Sequence, residues 1–509
     1  MNMNNQHKLF ICLAGILLFI GSCRKETIEQ MDDAPVLSGL ESDYYVLVRE
    51  SLLIKPVVGN RIDSIEWILD GRKTASGLQY TFQAPEIAGT HSLIIIAHNR
   101  GNIVQEVATI TVGRYQFLTG FTNEIIKVEA SEKFKYLTDV KWEVLDPPSE
   151  LFRLADIKTS SALFASAGQG TFRVKASSGN LADTILVEVN QRDKPSSPYI
   201  SKVFDYLPAP GQFVNELPKY NAGDTYETML SKVSNDLVGE QTNMITLGGW
   251  GGYVVVGFDH TIVNVAGRRD FRIDGNAFGA AANPRPGAPF GGSCEPGIVM
   301  VAYDKNKNGK PDEDEWYEIK GSANFSAEQE LWYTFALAKG NDVRTFRSYE
   351  MTYHRPASET PAGDPQDHIA IPDYIRWTDN QGQQGYKIKN TFHAQTYYPS
   401  WIKEEQITYK GIRLARNGVD ESSGGSYFVL YGFRYGYTDN YPNAHDNSGI
   451  DIDWAIDKNG NKVTLPGIDF VKIYNGIDQD NGWLGETSTE VGRGEDLHLS
   501  GKKIDTINP

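Results

Sequence analysis

The sequence predicts an all-β protein, in which two small β-sandwiches precede one large antiparallel β-sandwich of jelly-roll-like architecture. Short runs of alternating apolar and polar residues, such as Tyr253–Phe258 and Gly297–Tyr303, are rich in β-branched residues and bounded by Gly, Pro, Asn and Asp. This pattern is typical of half-buried antiparallel strands. Only Thr225–Val238, preceded by Asp224 as the expected N-cap and followed by Gly239, has the pattern of a helix.

The chain begins with a short basic and apolar segment that ends at a cysteine. Lys8 precedes the apolar run Leu9–Ile20, and small residues stand directly before Cys23. The pattern predicts a signal peptide over residues 1–22, because the apolar run is too short to span a bilayer as a mature helix. It resembles the lipobox of bacterial lipoproteins, which implies cleavage before Cys23 and lipidation of that residue. An uncleaved anchor or a plain secreted protein is the alternative.

Residues 23–33 are interpreted as a short tether. Basic and then acidic residues follow Cys23 and end at Asp33. Such a stretch resembles the surface-export signal of Bacteroidetes lipoproteins. The resemblance implies display on the outer face of the outer membrane of a Gram-negative bacterium.

Composition limits the classes of partner and the means of stabilisation. The net charge of −16 opposes binding to nucleic acid or to anionic lipid, both of which require basic patches. Hydrophobic residues at 40% and aromatic residues at 11% are enough for folded domains. Loss of Cys12 with the signal peptide and lipidation of Cys23 would leave only Cys294, so no intramolecular disulfide is expected.

Residues 34–113 and 114–192 follow the same plan and are interpreted as two copies of one small β-sandwich. Each contains a strand with a single tryptophan, Trp67 or Trp142, and later a Gly-Thr turn into the next strand. Both copies resemble PKD-like, immunoglobulin-type domains. Each tryptophan is expected in a sandwich core, and the two domains are expected to act as spacers.

Residues 193–509 are interpreted as one ligand-binding, jelly-roll-like β-domain that follows a Pro/Ser-rich linker. The domain contains a loop with oxygen-bearing side chains at positions 1, 3, 5, 9 and 12 and glycine at position 6. This spacing is that of a calcium-binding loop. The flanking residues have the pattern of strands and not of EF-hand helices, so a polar hairpin turn is the alternative. The candidate calcium ligands are Asp304, Asn306, Asn308, Asp312 and Glu315.

No catalytic motif is found, so the protein is predicted not to be an enzyme. The sequence has no H-E-x-x-H, no G-x-S-x-G, no phosphate-binding glycine loop and no paired cysteines for zinc. Carboxylates are abundant, and sequence does not give the separation of about 5–9 Å that a glycosidase pair requires. A glycosidase activity therefore stays open.

Aromatic residues are concentrated in segments that have the pattern of loops. In these segments rings stand beside amides and glycines, a combination that suits a large flat ligand with an apolar face and a polar edge. Packing of the rings inside long loops is the alternative. The candidate ligand contacts are Tyr397, Tyr398, Trp401, Tyr437, Tyr441, Trp250, His393, Gln395, Asn440 and Asn443.

The lipobox, the PKD-like modules and several segments of the last domain carry a further resemblance. These segments are Met244–His260, Asp274–Phe278, Glu295–Gly297, Asp304–Glu318 and Gly467–Lys472. Together they resemble the cobalamin-binding surface lipoproteins of gut Bacteroidetes, the BtuH type. The resemblance implies capture of cobalamin at the cell surface and transfer to a TonB-dependent transporter and its associated surface lipoproteins.

Two other functions fit the same sequence features. A glycan-binding or glycan-cleaving surface lipoprotein would use the same aromatic rings against sugar faces. An adhesin or scaffold would use the large domain to contact another protein.

Overall fold

The computed structural model describes residues 33–179, 181–280, 287–358, 369–422 and 424–507. Strands account for 45% of the described residues and helices for 7%, which confirms the predicted all-β class. The predicted signal peptide and Cys23 lie outside the described residues. In the part of the chain that is described, no helix has the length and apolar character needed to cross a membrane.

The chain divides into two compact units, and the first, which ends at Arg114, is a small β-sandwich around Trp67. The Trp67 side chain is fully buried, and its Nε1 donates a hydrogen bond to the Gly77 carbonyl at 2.8 Å. Asp70 and Gly71 both have positive φ, at 49° and 77°, as a tight hairpin turn requires. The core position expected for Trp67 is therefore confirmed. The strands are Val36–Ser38, Asp43–Leu47, Ser51–Ile54, Val57–Gly59, Ser64–Leu69, Arg72–Ser76, Tyr80–Gln83, Gly89–Asn99 and Asn102–Gly113.

The second unit begins at Tyr115 with another β-sandwich, made of a four-stranded and a three-stranded sheet. Its Trp142 is buried as expected, and Trp142 Nε1 donates to the Lys158 carbonyl at 3.1 Å. The strands are Gln116–Phe121, Ile125–Glu129, Lys141–Leu145, Phe152–Ala155, Ser161–Ser166, Gly170–Ser178 and Leu181–Asn190, with a short 3-10 helix at Glu132–Phe134.

This second sandwich packs directly against the C-terminal residues of the same unit. Arg153 forms an ion pair with Asp453, and both side chains are mostly buried. Ala165 of the sandwich shares a small apolar cluster with Val263 and Val265. The two parts are therefore joined by charge and by apolar burial, although the Pro/Ser-rich linker lies between them.

The remaining residues form antiparallel sheets around a central seven-stranded sheet. Its inner strands, Tyr253–Val263, Gly467–Asn475 and Gly297–Ala302, are buried along almost their whole length, because both of their faces are covered. The half-buried strands expected at Tyr253–Phe258 and Gly297–Tyr303 are therefore covered on both faces. The other strands of the central sheet are Lys202–Leu207, Trp316–Ile319, Tyr437–Thr438 and Ala455–Ile456. The smaller sheets contain Phe346–His354, Ile369–Asp379, Gln384–Asn390 and Gln406–Arg413; Phe278–Gly279, Gly291–Ser293, Gly418–Asp420 and Phe428–Tyr431; Phe271–Ile273, Gly449–Ile450 and Gly494–Asp496; and Ile245–Thr246 with Glu490–Val491.

The predicted helix is present at Tyr226–Leu237, but its N-cap differs from the prediction. Thr225 is the N-cap, and its side chain accepts a hydrogen bond from the Thr228 backbone N–H. Asp224 instead pairs with Lys232, which explains why it does not cap the helix. The other helical segments are Tyr333–Ala338 and the 3-10 helices Glu313–Glu315, Asp446–Ser448, Ile452–Trp454 and Gly482–Leu484.

Candidate ligand-binding cavity

Most of the aromatic rings expected to contact a ligand are core residues in this structure. Tyr397, Tyr398 and Trp250 share one apolar cluster, Tyr437 lies in a second and Trp401 in a third. Most of their polar atoms form hydrogen bonds with other residues of the protein. Tyr437 Oη, for example, donates to Asn324 Oδ1 at 2.6 Å. Because the rings are enclosed in separate clusters, they do not form the shared ligand surface that the loop pattern predicted.

The predicted amide contacts hold neighbouring loops in place. Asn440 is buried and bonds both the N–H and the carbonyl of Phe433, at 2.8 and 2.7 Å. Asn443 bonds both backbone groups of Gly275 at 2.9 Å. The Gln395 side chain donates to the Gln212 carbonyl. These amides therefore satisfy backbone groups, which explains why polar residues stand among the rings.

Tyr441 is half-buried and belongs to a stack of rings. Its ring lies 4.9 Å from that of Phe290 and 5.0 Å from that of His445. Both neighbours stack on it, so Tyr441 packs a loop and lies outside the cavity described next.

His393 is the one predicted contact residue that lines a largely apolar cavity beside Phe213, Trp483 and Glu490 in the C-terminal part of the chain. The cavity has a volume of about 650 Å³. His393 is half-buried and packs edge-on against Phe213, with ring centres 4.6 Å apart. Burial, together with the nearby charge of Lys389, lowers the pKa of His393, so its imidazole is neutral at pH 7. His393 therefore contributes an uncharged side chain to the wall of the cavity.

The rim of this cavity carries an unusual set of exposed apolar side chains. Phe392 and Trp483, the two central rings, are 58% and 39% exposed, and their ring centres lie 6.4 Å apart. Large exposed apolar groups gathered in one place mark interaction sites, because each is costly to leave in water. The apolar rim consists of Phe278, Phe392, Tyr427, Trp483 and Leu484.

Three glutamates, Glu295, Glu486 and Glu490, line the same cavity. Oxygens of Glu295, Glu490 and the neighbouring Asp439 all lie within 4.8 Å of one another. Burial raises the pKa of each of these groups. Repulsion by Asp439 raises the pKa of Glu295 further, and repulsion by Glu295 and Asp439 does the same for Glu490. Burial also raises the pKa of Glu486 to about 7. The arrangement would favour one positively charged group shared among the carboxylates.

Distant segments of the chain hold the glutamates in place. Glu486 accepts the backbone N–H of Gln212 at 2.6 Å, across 274 residues of sequence. Glu490 begins a two-stranded pairing with Ile245–Thr246, and its Oε1 accepts the Thr246 hydroxyl at 3.0 Å. The cavity is thus built from at least four separated stretches, which is why no local motif predicted it.

The predicted calcium loop is a compact turn between two paired strands, Gly297–Ala302 and Trp316–Ile319. Asp304 accepts the backbone N–H groups of Asn308 and Gly309 at 3.0 and 2.7 Å. Asp312 Oδ2 accepts both the Asn306 and Asn308 amides, and Glu315 accepts the Lys305 and Asp312 N–H groups. The side chains of all five predicted ligands therefore form hydrogen bonds within this one loop. The segments on either side of the loop are strands, as expected.

We expect calcium to raise the melting temperature through this loop. Binding to the folded state alone would stabilise it by about 2.7 kcal/mol at a hundredfold excess over Kd. Asp304→Ala should abolish the response in a calorimetric melt with and without EDTA. Asp457→Ala is the matched control, because Asp457 closes a similar Asp-Lys-Asn-Gly-Asn turn. Equal melting with Ca²⁺ and with EDTA in the wild type would identify a plain hairpin turn.

Comparisons with known proteins give no family for this chain. No protein-family model matches it, and no curated protein matches it. An I-band fragment of titin is 10% identical, covers 32% of this chain and 66% of its own length, and has a TM-score of 0.14. This chain thus spans just under two thirds of that fragment.

Two further solved structures are similar at the same level. A tandem of titin immunoglobulin domains is 13% identical, over 32% of this chain and 100% of the other, with a TM-score of 0.14. Fibronectin(III)-like modules of CbhA from Clostridium thermocellum are 20% identical, over 16% of this chain and 96% of the other, with a TM-score of 0.14.

Proposed function

We propose that the protein is a non-catalytic binding protein that captures a small-molecule ligand in the cavity rimmed by Phe392 and Trp483. The observation that carries the proposal is the exposed apolar rim above buried polar groups, which is the usual composition of a ligand site. The volume of about 650 Å³ lies within the range of about 300–1,000 Å³ for such sites.

The ligand we propose is cobalamin, which the sequence resemblance implies, with transfer to a TonB-dependent transporter. A corrin has a broad apolar face fringed by amides. The face would lie on the rim rings, and one amide-bearing edge would reach the glutamates. Cobalamin is larger than the ligands that such a cavity encloses, so most of it would remain outside.

We further propose that Cys23 anchors the protein on the outer surface of the outer membrane. A lipid anchor would keep the binding domain beside its transporter. Cys23→Ala is expected to move the protein from the membrane fraction to the soluble fraction after cell lysis. A variant that stays with the membrane after a salt wash would contradict the lipoprotein interpretation.

The rim provides the direct test of the proposed function. Trp483→Ala and Phe392→Ala should each weaken cyanocobalamin binding by at least about 2 kcal/mol, or about thirtyfold in Kd, because buried rings dominate binding energy. Both side chains are exposed, so the melting temperature should hardly change. Isothermal titration calorimetry measures the first effect and thermal denaturation the second.

The matched control is Phe117→Ala, which removes a ring that is 72% exposed on the second sandwich. It should leave both affinity and stability unchanged. Wild-type affinity in both rim variants would remove the cavity as the site, and absence of cyanocobalamin binding by the wild-type protein would remove cobalamin as the ligand.

A glycan is the second candidate ligand, favoured by the carboxylate oxygens of Glu295 and Glu490 beside aromatic rings. Sugars stack on such rings, and paired carboxylates can serve glycoside cleavage. A panel of oligosaccharides titrated in the same calorimeter, followed by a search for reducing ends, distinguishes sugar binding and cleavage from cobalamin capture.

A further inference from the structure

Three acidic side chains, Glu295, Glu486 and Glu490, line the cavity. No lysine or arginine lines it among the described residues, which leave out residues 281–286 after Ala280. Lys387, whose charge acts on Glu486, is buried and pairs with Asp480 at 3.4 Å. The ligand therefore meets an acidic surface.

Among the described residues, the hydrogen-bond donors to the Glu295 and Glu490 side chains are all uncharged. Glu490 accepts the Thr246 and Ser488 hydroxyls and the Asn276 amide, at 3.0 Å each. Glu295 accepts the Ser488 backbone N–H and the Ser293 hydroxyl, both at 3.2 Å. A positively charged group placed between the two side chains would favour their ionised forms, which burial otherwise disfavours.

The aromatic rings of the rim would also attract a positively charged group. Phe392, Tyr427 and Trp483 line the cavity and are partly exposed. Ring faces attract cations through their quadrupole, most strongly for tryptophan. A ligand with an apolar body and a positive end would therefore be favoured both at the entrance and at the glutamates.

We infer that the group entering this cavity is a protonated amine carried on an apolar or aromatic body. The ammonium would sit between Glu295 and Glu490 and donate to their oxygens, while the body would lie against the rim rings. This inference rests on the proposed role of the cavity as a ligand site, and it does not depend on cobalamin being that ligand.

Three compounds with one apolar body and different head groups test the inference: 4-phenylbutylamine, 4-phenylbutanol and 4-phenylbutyrate. Calorimetric titration of the full mature protein at pH 7 should give the amine an affinity at least about tenfold above that of the alcohol, because hydrogen bonds to charged groups are the stronger ones. The carboxylate should bind most weakly, since it would be repelled by the glutamates.

Variants that replace a glutamate by glutamine test which residues cause the preference for the amine over the alcohol. Glu295→Gln and Glu490→Gln, alone and combined, should reduce the amine affinity to that of the alcohol and leave the alcohol affinity unchanged. Glu188→Gln, an exposed change on the second sandwich, is the control and should alter neither. Thermal denaturation of each variant verifies that it is folded, and Glu295→Asp offers a carboxylate-retaining variant in which part of the preference should persist.

The outcomes separate this inference from the proposed function. Equal affinity for amine and alcohol, tighter binding of the carboxylate, or no binding of the amine would overturn the inference. If cyanocobalamin binding still depends on Trp483 in that case, the cavity remains a ligand site without a cation preference. If the amine binds through Glu490 and cyanocobalamin does not bind, the inference stands and the proposed ligand fails.

Discussion

A fragment that begins at Tyr199 is expected to melt several degrees below a fragment that begins at Tyr115. The second sandwich covers Val263 and Val265, which are 0% and 2% exposed in the folded unit. Exposing two such side chains costs about 3 kcal/mol in total, at about 1.5 kcal/mol each. The shorter fragment also loses the Arg153 partner of Asp453. Differential scanning calorimetry of the two fragments measures the difference.

Equal melting temperatures would show that the sandwich is a detachable spacer, as the sequence pattern suggested. Arg153→Ala in the full chain isolates the ion pair, and Lys127→Ala, which removes an exposed ion pair with Glu129 on the same sandwich, is its control. The control should have almost no effect, because exposed ion pairs contribute little.

Trp250→Ala is expected to destabilise the protein by about 3–5 kcal/mol, the usual cost of removing a large buried aromatic side chain. Trp250 is fully buried, packs edge-on against Tyr349 at 4.8 Å and donates from Nε1 to the Ile412 carbonyl at 3.1 Å. The substitution leaves a cavity and an unpaired carbonyl. Urea denaturation followed by fluorescence measures the loss.

The effect of Trp250→Ala on stability is compared with that of Trp483→Ala, which removes an exposed tryptophan. Because Trp483 is exposed at the cavity rim, its loss should change the free energy of unfolding by no more than about 0.5 kcal/mol. The opposite result, in which Trp250→Ala keeps wild-type stability and loses ligand binding, would restore Trp250 as a ligand contact.

The strands and turns whose signals lie within a few residues could be predicted from the sequence. Trp67, the Asp70-Gly71 turn and the β-branched strands of the central sheet follow from rules that act over a few residues. The run Ile450–Ile456 also alternates, but Asp451 accepts the Asp453 N–H and caps a 3-10 turn there. A side chain that bonds its own backbone can interrupt a strand without changing the apolar pattern.

The candidate site could not be predicted in the same way. Tyr397 and Tyr437 stand in segments without regular alternation, yet each ring packs into an apolar cluster formed largely by residues of neighbouring strands. Phe392 differs from them only in its tertiary neighbours, and it is exposed. Ring density in the sequence therefore indicated where aromatic residues are, and not which of them face solvent.

The hydrogen bond from Gln212 to Glu486 has a consequence for when the protein becomes able to bind. It closes a loop of 274 residues, and Glu490 lies beyond it. Contacts of such high sequence separation form late, because the entropy of closing the intervening chain must be lost before they stabilise anything. A chain in which this contact is not yet made lacks one wall of the cavity, so we expect the ability to bind a ligand to appear only after the C-terminal segments have folded into place.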